Sequence, residues 1–292
     1  MRYFVAVAEH GNFTRAADEL HVAQQAVSQQ IRALEATLAV TLLRRSSRMV
    51  ELTPAGAVFL ADAKRLLAAS DRAVRRVQAA ARGEAGALRL VYTLATAYET
   101  TPSLLELLSK RHPQLKVSAR EVYGADVADL LLDGQCDLAL APMTSYPEGL
   151  RQRLVRREVL RLAISARHPL AGTDQVELQA LENARFEVWP RQMSPGYYDV
   201  VVGACRAAGF EPSLDERGAG ATVWGYIAQG RGAGLVVSSL FEQLPPGIML
   251  IDLAPPRPTL AVNAVWSEEI EQPAVNRFLD AAASLAAKHG WQ

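Results

Sequence analysis

The stretch from Gln24 to Leu38 does most to limit what this chain folds into. At 100° per residue, Val27, Ile31, Leu34 and Leu38 fall on one stripe, at spacings of four, three and four. Gln25, Ser28, Gln29 and Arg32 fall on the opposite side. A helix here therefore buries one face and presents amides, a hydroxyl and a guanidinium on the other. Such groups match base edges in a DNA major groove: amides pair with adenine, arginine with guanine and serine with either. A solvated helix face also carries them, so the flanking sequence has to decide.

The flanks favour a helix-turn-helix. Residues 1–10 read as a helix with Tyr3, Phe4 and Val7 inward, broken by Gly11-Asn12. A second helix follows, capped by Asn12 or Thr14, with Ala16, Ala17 and Leu20 facing the core. His21-Val22-Ala23 is long enough only for a turn, and the polar-faced helix comes next. Arg44-Arg45-Ser46-Ser47-Arg48 and Met49–Thr53 then read as a β-hairpin wing with arginines toward its tip, placed to grip phosphate or a minor groove.

Charge follows the same division. Residues 1–82 hold 12 Arg+Lys against 7 Asp+Glu, and the remainder holds 19 against 24, so a zero net charge hides a basic front on an acidic body. A polyanion partner is expected for the front alone. Cys136 and Cys205 lie far apart without metal-like spacing, and burial as ordinary apolar residues is expected. No apolar run approaches the roughly 18 residues of a membrane span. The N-terminus lacks the order of a signal peptide, so a cytoplasmic protein is expected.

Phe13-Thr14-Arg15-Ala16-Ala17, the run from Gln24 to Ile31 continuing through Arg32-Ala33-Leu34-Glu35, and Leu52-Thr53-Pro54-Ala55-Gly56 together resemble the LysR-type transcriptional regulators. The resemblance is dense over residues 2–60 and looser beyond. It implies base and backbone contacts from Gln24, Gln25, Ser28 and Gln29, with Arg32 nearby and Arg48 in the wing, where the hairpin reading adds Arg44 and Arg45. The chain departs from the family at three positions. Ala23 and Gln25 stand where Ser and Pro are usual, and Gln29 stands where many members have Arg. The first two remove an N-cap and a pre-set φ from the helix entrance.

Pro54 opens a long helix over 54–82, in which Phe59, Leu66, Ala73 and Ala80 recur every seven residues with Ala63, Ser70 and Val77 four further on. That seam fits a coiled-coil homodimer; the resemblance extends it to a homotetramer. Residues 83–87 serve as a hinge. Beyond them strands alternate with helices, implying a parallel sheet with helices on both faces. The overall expectation is an α+β multi-domain chain. It comprises a winged helix-turn-helix (1–58), the linker helix, and a bilobed α/β module like the periplasmic binding proteins, as the family has. Lobe I takes 88–160 with 260–292, lobe II takes 161–259, and crossovers lie near 157–160 and 256–259.

Ligands of such sheets sit beyond the carboxyl ends of the strands. The candidates there are Thr96, Ser194, Thr222 and Thr144 for hydroxyls and Arg191 for an acid, with Met193 as apolar wall and Asp126 at the rim. Glu99 and Asp126 argue against a highly charged anion, so a small organic acid is the expected effector. The five histidines are scattered, no catalytic set is present, and no cofactor or metal is implied. The reading is a regulator that binds double-stranded DNA under effector control, not an enzyme and without a membrane partner. Two alternatives compete: a solute-binding or enzymatic α/β domain with an incidental helical front, and a regulator that senses redox through a cysteine.

Overall fold

Asn12 sets the first corner of the front domain. Its side chain accepts from Thr14 N–H at 2.8 Å and Arg15 N–H at 3.1 Å, so it, and not Thr14, caps the second helix. In the computed structural model, helices α1 (Arg2–His10), α2 (Phe13–Glu19) and α3 (Gln24–Leu38) precede a two-stranded antiparallel wing, β1 (Leu43–Arg45) and β2 (Val50–Leu52), and the long helix α4 (Pro54–Ala81). The structure describes residues 1–45, 50–81, 86–143, 145–216, 221–239, 245–268 and 273–291; the side chains of 45, 72, 75, 76, 79–81, 221 and 222 lie outside that description. Two compact units result, Met1–Arg82 with Leu132–Gln135, and Gly83–Leu131 with Cys136–Gln292.

The front core gathers Phe4, Val7, Ala16, Ala17, Val27, Ile31, Leu42, Leu43 and Ala63. Leu34 only packs at its margin, and Leu38, expected on the buried stripe, is 39% exposed because α3 ends there. The first half of the α4 seam also belongs to this core: Ala63 is buried and Phe59 packs against it, whereas Leu66 and Val77 are 55% and 69% exposed. The first half of the expected heptad seam thus serves the domain's own core, while beyond it Val74 adds a further exposed apolar side chain. The expected hinge, residues 83–87, falls mostly outside the described residues.

In the second unit, β3 (Ala87–Tyr92), α5 (Thr100–Arg111), β4 (Lys116–Glu121), α6 (Val127–Leu132) and β5 (Leu138–Ala141) alternate as expected, and β3 pairs in parallel with β4 and β5. The centre of the sheet, where strand β12 (Thr259–Ser267) pairs with β5 and with strand β6 (Leu150–Ser165), is antiparallel. Strands β6 and β12 pair along nine positions, and β6 continues to pair with β10 (Gly234–Val237) and β11 (Ile248–Leu253). Only the far edge is parallel again, where Gln175–Val176 pairs with β11; the sheet is mixed, which corrects the parallel expectation. The crossover expected near 157–160 is carried by the middle of one continuous strand, β6, which leaves β12 at Val159 and takes up β10 at Leu160. The charged run Arg151–Glu158 concealed it. The second lobe adds β7 (Gln175–Val176), β8 (Arg185–Glu187), α7 (Pro195–Ala207), β9 (Ser213–Asp215) and α8 (Ala221–Ala228), while α9 (Pro273–His289) packs on lobe I.

Each lobe has its own core. Leu88, Leu90, Leu104, Leu138, Val262, Phe278 and Leu285 fill one face of the first sheet, and Val91, Val127, Leu131, Cys136 and Ala139 fill the other. Burial on both faces explains why β5 is apolar at every position. Leu162, Ile164, Phe186, Val201, Ile227 and Leu235 make the core of the second lobe.

Candidate nucleic-acid interface and ligand site

Helix α3 is built to be read from one side. With Val27 and Ile31 fully buried, Gln24, Gln25, Gln29, Gln30 and Arg32 stand exposed. Ser28 does not join them. It is only 5% exposed, and its hydroxyl accepts from Gln24 Nε2 at 3.1 Å, so it orients the Gln24 amide instead of projecting outward. Arg32 Nε reaches the Ser28 carbonyl at 3.4 Å, which ties the guanidinium along the same helix face. Gln30 is exposed too, but its angle places it at the Leu34 edge of the apolar stripe, away from Gln25 and Gln29. In the wing, Arg44 is exposed and pairs in register with Glu51, and Arg45 stands opposite Val50. Arg48 lies outside the described residues.

The ligand candidates separate into three groups. Met193, Ser194 and Asp126 come together: Gly124 N–H donates to Met193 O at 2.8 Å, linking the turn after β4 to the entrance of α7. At that entrance Gly196 admits no side chain, since a Cβ there would lie 1.8 Å from Pro142 O at the end of β5. The carboxyl ends of β4 and β5 thus close against the lobe II helix. Thr96 forms a second group. It is 1% exposed and its hydroxyl is already committed, donating to Thr93 O at 3.0 Å and accepting from Thr101 at 3.0 Å. Arg191 stands apart, its guanidinium held by Asp199 at 2.8 and 3.0 Å. Thr144 and the side chain of Thr222 lie outside the described residues.

Thr93 was missed in the sequence and has the stronger geometry. At the carboxyl end of β3 it is 4% exposed, and its Oγ1 has no hydrogen-bond partner among the described residues. Helix α5 begins nearby without a side-chain cap from Glu99, so its first N–H groups lack intrahelical acceptors. The Glu99 carboxylate is drawn instead to Arg156, at 2.8 Å. Arg156 also stands 3.1 Å from Glu158 and lies over the Trp291 ring. Glu158 is fully buried, and desolvation raises its carboxyl above the usual range despite Arg156. Ser238 donates to it at 3.3 Å, so the network runs from α5 through β6 to the residues after β10.

Both cysteines are buried in separate cores, Cys136 in lobe I and Cys205 in lobe II. Burial pushes their thiols up to about 12 and about 11, which keeps them protonated and unreactive. That opposes the redox reading. Among the described residues no group of three His, Cys, Asp or Glu is placed to hold a metal ion, and no helix is long and apolar enough to cross a membrane.

The family model for bacterial regulatory helix-turn-helix proteins of the lysR family matches residues 1–57, and that for the LysR substrate binding domain matches residues 81–287. The chain belongs to the LysR family. It is 32% identical over 281 residues, 95% of each chain, to the uncharacterized HTH-type transcriptional regulator YnfL of Escherichia coli. The HTH-type transcriptional regulator ClcR of Pseudomonas putida is 38% identical over 214 residues, 73% of each chain. Among solved structures, full-length CbnR in complex with its target DNA is 30% identical, with 97% of each chain covered and a TM-score of 0.72. This LysR-type protein is a DNA-binding transcriptional regulator with an effector-binding module, not an enzyme.

Proposed function

We propose that α3 reads base edges through Gln24, Gln25, Gln29 and Arg32 while Arg44, Arg45 and Arg48 hold phosphate from the wing. The exposed Gln and Arg face opposite a fully buried Val27 and Ile31 carries this reading. Gln29→Ala should relax preference at one or two base pairs and cost roughly 1–3 kcal/mol on the best site. Selection from a randomised DNA pool measures it; an unchanged preference profile removes Gln29 from the reading set.

The effector in this reading is a small organic acid of low charge, bound among Thr93, the first turn of α5 and the Met193–Ser194 segment. The buried, unpartnered Thr93 hydroxyl supports that place. Arg156 and Arg191, already paired with carboxylates, favour a monoanion held by hydroxyls and helix N–H groups. Binding changes the angle between lobes and so the spacing of recognition helices in a homodimer formed along the exposed half of α4, itself pairing into a tetramer. The protein acts in the cytoplasm, where its DNA is.

A further inference from the structure

A carboxylate is out of place on a surface meant for phosphate, yet Glu35 lies one helical turn beyond Arg32. Its side chain reaches the segment that enters the wing. Leu42 N–H donates to Glu35 Oε1 at 2.7 Å, and Leu43 N–H donates to the same oxygen at 3.1 Å. The backbone carbonyl of Glu35 accepts as well, from Val40 N–H at 3.2 Å, where Ala39 at φ 55° ends the helix in the left-handed region. One residue of α3 thus receives the N–H groups of Val40, Leu42 and Leu43 on the way from the helix into β1.

The same connection is gripped from its other side. Leu42 O accepts from Thr53 N–H at 3.0 Å and from the Thr53 hydroxyl at 3.2 Å. Gly56 comes so near that a Cβ there would lie 2.1 Å from Leu42 O. Leu42 and Leu43 are themselves buried in the front core. Apolar packing sets how deep the strand sits but is non-directional; the N–H···O bonds fix its rotation.

We propose that Glu35 is a positioning residue for DNA binding. Its carboxylate sets the angle between α3 and the wing, so that Arg32 and Arg44 meet one duplex together, and it makes no DNA contact of its own. The proposal rests on the reading that α3 and β1 both face DNA. An ionised carboxylate makes charge-assisted bonds to both N–H groups. Glutamine offers a carbonyl oxygen at the same reach, aspartate is one methylene too short, and alanine offers nothing.

The test uses the full chain, a duplex enriched by the protein from a randomised pool, and binding measured across a salt series. Glu35→Ala and Glu35→Asp should each weaken binding by about tenfold or more and lower the slope of log K against log salt by about two. Glu35→Gln should stay within about threefold of the parent with an unchanged slope. Adding Arg44→Ala to Glu35→Asp should then cost far less than Arg44→Ala costs alone, since the arginine is already out of register. If Glu35→Ala fails to fold, the Asp and Gln variants decide. Additive losses, parent-like binding by Glu35→Asp, or loss of binding by Glu35→Gln would each overturn the proposal. An Arg44→Ala slope equal to that of the parent removes the wing from DNA, and the proposal falls with that reading; a lowered Arg44→Ala slope beside a parent-like Glu35→Asp sinks the positioning role alone.

Discussion

Helix α3 and strand β6 both carry arginines, and they treat them in opposite ways. Arg32 keeps its guanidinium exposed on the helix surface. Arg156 is 8% exposed, enclosed by Glu99, Glu158 and Trp291. The first arrangement leaves charge available to a polyanion without rearranging anything. The second locks charge into an internal network that joins parts of both lobes.

The contrast is broken most directly at its two arginines. Arg156→Ala leaves the buried Glu158 without its cation and should cost about 3–5 kcal/mol of unfolding free energy. Arg32→Ala should change stability by no more than about 0.5 kcal/mol. Urea unfolding of the full chain measures both; similar values would mean the β6 network is not a buried ion cluster in solution. The pH dependence is a sharper probe. The folded carboxyl of Glu158 is raised above its ordinary value of 4.5, so folding favours its protonated form. Its contribution is fully present in acid and declines as pH rises through the folded value. Glu158→Gln keeps the neutral shape, so its stability relative to the parent should grow as pH rises above the ordinary carboxylate value. A constant difference would show that Arg156 compensates the charge completely.

A smaller effect tests the ligand side of the comparison. Thr93→Val keeps the volume and removes a buried hydroxyl that has no partner among the described residues. The free protein should gain up to about 1 kcal/mol, because a polar group no longer lies buried without a bond. Any thermal shift produced by a small monocarboxylic acid should shrink at the same time. Loss of stability with the ligand response intact would place the effector elsewhere.

How much of this was legible follows the same division. The front could be read because helix periodicity alone sorts Val27 and Ile31 from Gln25, Gln29 and Arg32. Ser28 escaped because one angle in a helical wheel does not say how closely neighbouring elements crowd it. In the effector module, β3, β5 and α5 were readable from apolar runs. Strand β6 was not, because its first half sets the polar runs Arg151–Arg153 and Arg156–Glu158 around only two apolar residues, and Arg156 and Glu158 find partners only in the fold. Thr96 looked like a free hydroxyl, since nothing in sequence reveals that Thr93 O and Thr101 would occupy it. Glu35 had no visible role, because its partners are backbone groups seven and eight residues on.

The smallest effect concerns the entrance of α3, where two helices of one domain are capped differently. Asn12 gives α2 a side-chain acceptor for two N–H groups. Ala23, at the corresponding position of α3, has the extended φ −69°, ψ 137° of a cap but no side-chain bond. Ala26 N–H already donates to Ala23 O at 2.9 Å, so the N–H groups left over are those of Gln24 and Gln25. A serine at 23 would offer its hydroxyl to the first turn, and such caps are worth roughly 0.5–2 kcal/mol. Ala23→Ser should therefore raise the unfolding free energy by that amount and slow amide exchange at Gln25 more than at Ala26. If phosphate oxygens of bound DNA supply the missing acceptor, the gain should be smaller in the complex than in the free chain. Equal gains in both states would mean that phosphate does not reach the entrance of α3, and Gln24 and Gln25 would then lie outside the DNA contact.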